Sequence, residues 1–190
     1  MFAETIDNDE ILKLPRISFP GEIVVISSEE DLDKWLPRLS KSSVIGFDTE
    51  TKPSFKKGSL NSVALLQLAS NDIALIIRVK STGIPKKLVQ LLQNERILKI
   101  GAAIHDDIKS LQKIKTFTPA GFIDLQNFAK EKNIESKSVR KLAAIVLNVR
   151  VSKSQQLSNW ESEALTEAQL QYAATDAWIC REIYNIMLIN

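Results

Sequence analysis

Val44-Ile45-Gly46-Phe47-Asp48-Thr49-Glu50 is an apolar segment that ends in two carboxylates. Its composition predicts a central β-strand over residues 44–49. Side chains two positions apart on a strand share a face, so Asp48 and Glu50 project together. Ile45 and Phe47 project from the opposite face. Two carboxylates on one face repel each other unless a cation lies between them, which favours a metal site over a solvated strand end.

A second pair of acids, Asp106 and Asp107, opens a helix predicted over residues 106–114. Three apolar residues at helical spacing define its buried stripe: Ile104, Ile108 and Leu111. Asp107 flanks this stripe, so we expect its carboxylate to face an internal cleft. Asp106 points almost the opposite way and is expected to cap the helix or to face solvent.

The third group is Tyr172 and Asp176, which are four positions apart on the predicted final helix and therefore share a face. Small residues around them, Ala173, Ala174 and Ala177, permit close packing of this helix against a sheet. Such packing would carry Asp176 toward the strand acids. Taken alone, a Tyr–Asp pair is also typical of a simple hydrogen-bonding pair at the edge of a core.

Four carboxylates converging from a strand and two helices would form a site of hard oxygen ligands. Such ligands suit Mg²⁺ or Mn²⁺ rather than Zn²⁺. A pair of these ions can promote phosphodiester hydrolysis, because one activates water while the other stabilises the leaving oxygen. The phenol of Tyr172 is placed to orient the attacking water. The pattern therefore predicts a nuclease that uses two divalent cations.

The order of the predicted elements indicates the fold class. Strands are predicted at residues 23–26, 44–49, 63–68, 73–79, 97–103 and 121–125. Helices are predicted after Ser28, at 84–92, 106–114 and 139–147, and from Thr166 to about Leu188. A hairpin followed by strand–helix units is typical of an α/β protein with a mixed central sheet flanked by helices.

Length and composition limit the other possibilities. Residues 22–190 are expected to form one domain, preceded by an N-terminal arm over residues 1–21. Lys and Arg number 25 against 23 Asp and Glu, so the net charge of +2 gives no general argument for a nucleic-acid partner. No apolar run could span a bilayer and the first residues lack a signal-peptide pattern, so we expect a cytoplasmic protein with no membrane partner.

Local charge favours a phosphate-bearing partner. The loop after the strand acids contains Lys52, Lys56 and Lys57 around Phe55, which could hold phosphates and stack on a base. The alternative is a solvated loop with Phe55 in the core. Further along the chain, Lys153 and Trp160 are candidate substrate contacts. A packing role is the favoured interpretation for Trp160.

These segments resemble the 3′–5′ exonuclease domain shared by ribonuclease D and the Werner syndrome helicase. This is the tyrosine-containing branch of the four-carboxylate exonucleases, which have a ribonuclease H-like fold. The resemblance covers roughly residues 22–188 and is carried by Phe47-Asp48-Thr49-Glu50-Thr51, Pro53-Ser54-Phe55, Val63-Ala64-Leu65-Leu66-Gln67-Leu68, Lys99-Ile100-Gly101 with Ile104 and Asp107, Lys153, Leu157-Ser158-Asn159-Trp160, Leu165-Thr166 with Gln169, and Tyr172-Ala173-Ala174-Thr175-Asp176-Ala177.

By this resemblance, four carboxylates would bind metal: Asp48, Glu50, Asp107 and Asp176. Tyr172 would position the water, and cleavage would proceed from the 3′ end with release of nucleoside monophosphates. We expect DNA as the substrate, because no accessory RNA-binding domain accompanies the nuclease segment. Two alternatives remain: a ribonuclease D-like enzyme that processes RNA 3′ ends, and a non-catalytic nucleic-acid-binding module on the same fold.

Overall fold

One six-stranded sheet organises the protein, in a computed structural model that describes residues 2–51 and 62–190. Its strands are β1 (Glu22–Ile26), β2 (Val44–Thr51), β3 (Val63–Ala69), β4 (Ile73–Arg78), β5 (Leu98–Gly101) and β6 (Phe122–Asp124). Their spatial order is β1-β4-β3-β2-β5-β6. The predicted strands are all present, although the fifth is shorter at both ends than the predicted 97–103.

The sheet is mixed, as the sequence predicts. β2 pairs antiparallel with β3 and parallel with β5, so it occupies a central position. β3 and β4 form the predicted antiparallel hairpin, while β1 pairs parallel with β4 and β6 pairs parallel with β5. The hairpin turn is held by Ser70, whose Oγ donates to Asp72 Oδ1 at 2.8 Å. The predicted α/β fold class is confirmed.

Eight helices surround the sheet within the described residues. They are α1 (Asn8–Lys13), α2 (Glu29–Leu39), α3 (Val79–Thr82), α4 (Lys86–Leu92), α5 (His105–Ile114), α6 (Leu125–Glu131), α7 (Val139–Leu147) and α8 (Glu167–Ile189). The predicted N-caps are confirmed at α2 and α8, because Ser28 accepts from the Asp31 N–H and Thr166 from the Gln169 N–H. The sequence patterns did not predict α1, α3 and α6, which have only four to seven residues each.

Two apolar cores cover the two faces of the sheet. Side chains of α2, α4 and α5 pack on one face, where they meet Leu66 and Leu68 of β3. Side chains of α6, α7 and α8 pack on the other face, where they meet Leu65. Alternate residues of a strand thus serve opposite layers. Among the described residues, no helix has the length and apolar character needed to cross a membrane.

Lys99 is a buried cation in the middle of β5. Its Nζ donates to the carbonyl oxygens of Asn94 and Ile97 at 2.7 Å each and of Leu91 at 3.3 Å. Burial lowers the pKa of Lys99 to about 8, while three carbonyl acceptors favour its charged form. The side chain ties the end of α4 to β5, and so fixes the strand that leads into α5.

The N-terminal segment packs against the domain. Ile11 and Phe19 are buried, with 0% and 3% of their surface exposed. The backbone N–H of Phe19 donates to Thr175 Oγ1 at 3.0 Å, and Gln171 Nε2 donates to the Phe19 carbonyl at 2.7 Å. Residues upstream of β1 are therefore attached to α8 by apolar burial and by hydrogen bonds. The expected boundary between residues 21 and 22 remains a prediction.

Candidate active site

A direct contact between β2 and α8 creates the centre of the candidate site. A Cβ atom added at Gly46 would lie 1.8 Å from the carbonyl oxygen of Ala177, so only glycine fits there. Because Gly46, Asp48 and Glu50 occupy every second position of the strand, all three face α8. Asp176 immediately precedes Ala177 on the helix. The close approach therefore brings the carboxylate of Asp176 to those of the strand.

Three carboxylates meet at this contact. Asp48, Glu50 and Asp176 each offer an oxygen atom, and these atoms lie within 4.8 Å of one another. All three residues are half-buried. The β2–β3 register shifts between Glu50 and Thr51, which is the position where a bulge re-aims a strand. The structure thus brings together three of the four carboxylates that the sequence singles out.

Burial and mutual repulsion perturb the acids strongly. Burial, followed by the charges of Asp176, Glu50 and Asp107, raises the pKa of Asp48 well above its usual range. Burial and the charges of Asp176 and Asp107 raise the pKa of Glu50 to about 8. Burial raises the pKa of Asp176 to about 7, although the Tyr172 hydrogen bond and the Lys153 charge oppose this shift. A cluster of this kind favours either proton uptake or a bound cation.

The donor set is suited to a hard divalent cation. The clustered ligand atoms of Asp48, Glu50 and Asp176 are all carboxylate oxygens, and the group contains no sulfur or imidazole ligand. Carboxylate oxygens are the preferred protein ligands of Mg²⁺ and also suit Mn²⁺. A cation between them would remove the repulsion that raises their pKa values. The composition and spacing of this cluster therefore satisfy the requirements of a metal site.

Asp107 approaches from the opposite face of β2. Thr49 pairs with Leu66, which faces the layer of α2, α4 and α5. The Thr49 hydroxyl accordingly points toward α5 and donates to Asp107 Oδ1. Asp107 is half-buried, lies outside the three-carboxylate group, and is close enough to raise the pKa values of Asp48 and Glu50. Its neighbour Asp106 is exposed, as expected for the residue on the solvent side.

The turn that delivers Asp107 has an unusual backbone. Ala103 has φ = 57°, in the left-handed region that non-glycine residues rarely adopt. Its N–H donates to Asp124 Oδ1 at 3.3 Å, and the same oxygen accepts from the Gln126 N–H at 2.9 Å. Asp124 therefore caps α6 and holds the turn before α5. Sequence reasoning missed this role, although an Asp at the end of a short strand before a helical segment is a capping signal.

Tyr172 stands beside Asp176, with which it shares a side-chain hydrogen bond. Burial and the negative charge of Asp176 raise the pKa of the phenol far above its usual value. The Tyr172 ring packs at 5.9 Å from the ring of Trp160, and Trp160 is only 1% exposed. This geometry supports the packing interpretation for Trp160, whose buried ring packs against that of Tyr172, rather than a substrate contact.

Gln67 is a further polar residue that the sequence patterns did not single out as functional. It lies directly opposite Asp48 in the β2–β3 register and is 1% exposed. Within the described part of the chain, neither polar atom of its amide has a hydrogen-bond partner. An unsatisfied buried amide is costly, so a polar side chain at this position is not explained by packing alone. The only signal in the sequence was a polar residue inside an otherwise apolar strand.

The predicted substrate contacts divide into two groups. Lys153 is exposed, and its positive charge lowers the pKa of Asp176, so it lies near the carboxylates. Lys52, Phe55, Lys56 and Lys57 lie outside the described residues. The structure therefore places one of the predicted lysines at the site.

Comparison with known proteins gives the family. A family profile described as 3′–5′ exonuclease matches residues 23–189. The bifunctional 3′–5′ exonuclease/ATP-dependent helicase WRN of Mus musculus is 34% identical over 181 residues, which cover 90% of this chain and 13% of the mouse protein. Because the chain spans so small a part of that relative, the activity of the whole mouse protein is not carried over.

Solved structures agree in fold. The EXO domain of Aedes aegypti Nibbler is 25% identical, with a TM-score of 0.77 over 97% of this chain and 91% of that one. Escherichia coli RNase D, described as an exoribonuclease involved in structured RNA processing, is 21% identical, with a TM-score of 0.80 over 88% of this chain and 44% of that one. The fold is thus that of the ribonuclease D-type exonuclease domains, which is ribonuclease H-like. With the profile match over nearly its whole length, this chain belongs to the family of 3′–5′ exonuclease domains.

Proposed function

We propose that this protein is a metal-dependent exonuclease that removes nucleotides from the 3′ ends of nucleic acids. The observation that carries the proposal is the meeting of Asp48, Glu50 and Asp176 at the β2–α8 contact, with Tyr172 hydrogen-bonded to the last of them. Such a cluster is expensive to bury without a cation. Because the chain belongs to a family of 3′–5′ exonuclease domains, the reaction proposed for this cluster is hydrolysis of phosphodiester bonds at 3′ ends.

Two divalent cations, Mg²⁺ or Mn²⁺, would be held by Asp48, Glu50, Asp107 and Asp176. When bound, such ions supply an activated water and stabilise the leaving oxygen of the phosphodiester. Asp48, Glu50 and Asp176 form the preassembled part of the set. Asp107 completes it from the α5 side, where the Thr49 hydroxyl fixes the orientation of its carboxylate. No protein nucleophile is required, so no covalent enzyme intermediate forms.

Tyr172 acts as a hydrogen-bonding group in this proposal. Because its pKa is raised, the phenol stays protonated at neutral pH; its O–H donates to Asp176, and its oxygen lone pairs can accept a hydrogen bond from a water molecule. Packing of Trp160 against the ring restricts its movement. A fixed phenol at the edge of the acid cluster can orient a water molecule for attack on the terminal phosphodiester.

DNA is the proposed substrate, with RNA as the second candidate. The relative that is 34% identical is named as a 3′–5′ exonuclease and helicase, and this name specifies neither DNA nor RNA. The same fold in an exoribonuclease supports the second. Discrimination between the sugars depends on contacts to the 2′-hydroxyl. The site geometry favours neither sugar, so the test must include both.

The test is hydrolysis of 5′-labelled 3′-recessed DNA and of an RNA of matched sequence, each with Mg²⁺, with Mn²⁺ and with a chelator. We expect a ladder that shortens from the 3′ end and disappears in chelator. Asp48→Ala should reduce the rate by about 1,000-fold or more, because metal stabilisation of the transition state amounts to several kcal/mol.

Each outcome has a defined meaning. Faster shortening of RNA than of DNA would replace the proposed substrate by the second candidate. Cleavage that survives in Asp48→Ala would contradict the site assignment. Binding without cleavage by the folded wild-type protein, under every metal condition, would favour the non-catalytic nucleic-acid-binding module.

A further inference from the structure

A cavity lies against Tyr172, on the side of the N-terminal segment. Its volume is about 110 Å³. It is lined by Arg16 and Ser18 of the N-terminal segment, by Ser152 and Ser154 of the α7–α8 connection, and by Tyr172 and Thr175 of α8. Since Tyr172 lines this cavity and also interacts with Asp176, the cavity lies next to the residue that borders the carboxylate cluster.

Hydrogen bonds fix the backbone on both sides of Arg16. The Ile17 N–H donates to the Arg150 carbonyl at 3.0 Å, and the Arg150 N–H donates to the Pro15 carbonyl at 2.9 Å. The guanidinium of Arg150 adds a bond from Nε to the Leu14 carbonyl at 2.9 Å. Phe19 is bonded in turn to Thr175 and Gln171 of α8. Arg16 is thus presented from a fixed backbone rather than from a loose arm.

The cavity carries an unpaired positive charge. Arg16 is exposed, and among the described residues its side chain has no acidic partner and no hydrogen bond. The hydroxyls of Ser152 and Ser154, which also line the cavity, lie 3.0 Å apart. Among the residues that the structure describes, no carboxylate lines the cavity. A guanidinium and serine hydroxyls lining one cavity offer the donors that a phosphate group requires.

Size and position agree with a phosphate of a bound strand. The volume is several times the roughly 10–15 Å³ that one water molecule needs, and the cavity is open to solvent. Lys153 lies between Ser152 and Ser154 in the sequence, and its positive charge lowers the pKa of Asp176. Lys153 thus supplies positive charge near Asp176, and Arg16 supplies it in the cavity that Tyr172 also lines. A strand with its 3′ end at the carboxylates would pass along this charge.

We propose that Arg16, together with the hydroxyls of Ser18, Ser152 and Ser154, binds one backbone phosphate of the substrate strand. This inference rests on the proposed exonuclease function. Arg16 and Ser18 precede residues 23–189, which the exonuclease profile matches, so this phosphate site is built partly by a segment outside the matched domain. The site positions the strand and takes no part in bond cleavage.

The test measures kcat and KM on 5′-labelled oligonucleotides in which one phosphate at a time is replaced by an uncharged methylphosphonate. For the wild type, we expect KM to rise about tenfold at one position near the 3′ end, as loss of one charged hydrogen-bonding contact predicts. Arg16→Ala should show a similar rise in KM with the unmodified strand and a kcat within twofold of wild type. The KM of Arg16→Ala should not rise further when the methylphosphonate is placed at that one position.

Two further variants make the result specific. Lys13→Ala removes the same charge from an exposed residue that does not line the cavity, and should leave KM unchanged. Arg16→Lys keeps the charge but not the planar guanidinium, and should restore part of the affinity.

Equal KM values for Arg16→Ala and Lys13→Ala, with an active wild type, would overturn this inference alone. So would a methylphosphonate effect that persists in full in Arg16→Ala at every position. An inactive wild-type protein would overturn the proposed function first, and this inference with it.

Discussion

The two sides of β2 hold their carboxylates in different ways. On the α8 side, Gly46 lets the helix backbone touch the strand, and three carboxylates meet directly. On the α5 side, Asp107 follows a turn with a left-handed Ala103 and depends on the hydroxyl of Thr49 for its orientation. One side is built from regular elements in direct contact, and the other from single polar contacts.

This difference has a consequence for the site. Groups held by direct packing of helices and strands are placed more accurately than groups that depend on a single polar contact. The α8 side therefore supplies a preassembled cluster, whereas Asp107, in the first turn of α5, depends on one hydrogen bond from Thr49 for the orientation of its carboxylate. We expect substitutions that disturb the β2–α8 backbone contact to damage both stability and activity. Substitutions on the α5 side should act on activity alone.

Gly46→Ala should have the largest effect. The new methyl group would lie 1.8 Å from the Ala177 carbonyl oxygen, so α8 must move and Asp176 must move with it. We expect a loss of about 3 kcal/mol in the free energy of unfolding. Misplacement of the metal ligands should also reduce nuclease activity by about 1,000-fold. Urea denaturation and the ladder assay measure the two losses.

Gly83→Ala is the control for this substitution. Gly83 has φ = 65°, and an added methyl group would have no neighbouring atom within 4 Å, so alanine there introduces backbone strain without steric overlap. It should reduce stability while activity of the folded protein is retained. Normal activity and stability in Gly46→Ala would show that the direct β2–α8 contact does not place Asp176.

Asp107→Ala should come next, with a rate about 100-fold lower and little change in stability. The reason is that Asp107 lies outside the preassembled group, although its charge reaches Asp48 and Glu50. Asp106→Ala is a matched control, since it removes the same charge from the exposed neighbouring residue. The rates of the two variants should differ by more than tenfold. Equal rates would remove the assignment of Asp107 as the fourth acid.

The pH dependence of stability provides a third test of the preassembled cluster. The folded pKa values of Glu50 and Asp176 are raised to about 8 and about 7, whereas unfolded carboxyls titrate near 4. At pH values between the unfolded and the folded pKa, the folded state therefore binds more protons than the unfolded state. The resulting stability is present at low pH and is lost as the pH rises through 7 to 8. We expect the metal-free protein to lose roughly 2 kcal/mol between pH 5 and 7.5, after allowance for solvent screening.

Urea denaturation in chelator at the two pH values measures this loss. Mn²⁺ should restore stability at pH 7.5 more than at pH 5, because the ligands must be deprotonated to bind metal. Glu50→Gln should reduce the difference between the two pH values. If the metal-free protein instead became more stable from pH 5 to 7.5, the pKa values of Glu50 and Asp176 would not be raised in the folded state.

Thr49→Val should have the smallest effect. Valine keeps the shape of the side chain but removes the hydroxyl that donates to Asp107. We expect a decrease of about tenfold in kcat, in the range seen when an outer hydrogen bond to a metal ligand is lost. Thr49→Ser keeps the hydroxyl and should remain within about threefold of wild type. If serine and valine are equally impaired, the hydroxyl does not orient Asp107.

Short-range patterns were enough to predict which residues lie together at the candidate site. Alternation along β2 placed Asp48 and Glu50 on one face, and helical spacing joined Tyr172 to Asp176. The structure brings these four residues together as expected. Asp107 was separated from Asp106 by the same helical argument, and the two differ in exposure as predicted. Such patterns are visible because strand and helix periods act over only a few residues.

The sequence by itself determined the mixed α/β class, the principal strands and helices, and which acids could share a face. Tertiary structure alone decided that Gly46 contacts Ala177, that Thr49 bonds to Asp107, and that the segment around Arg16 forms a wall beside Tyr172. Each of these contacts joins residues far apart in the chain. Local propensities do not specify them, because close packing and hydrogen-bond geometry are set only when the layers assemble.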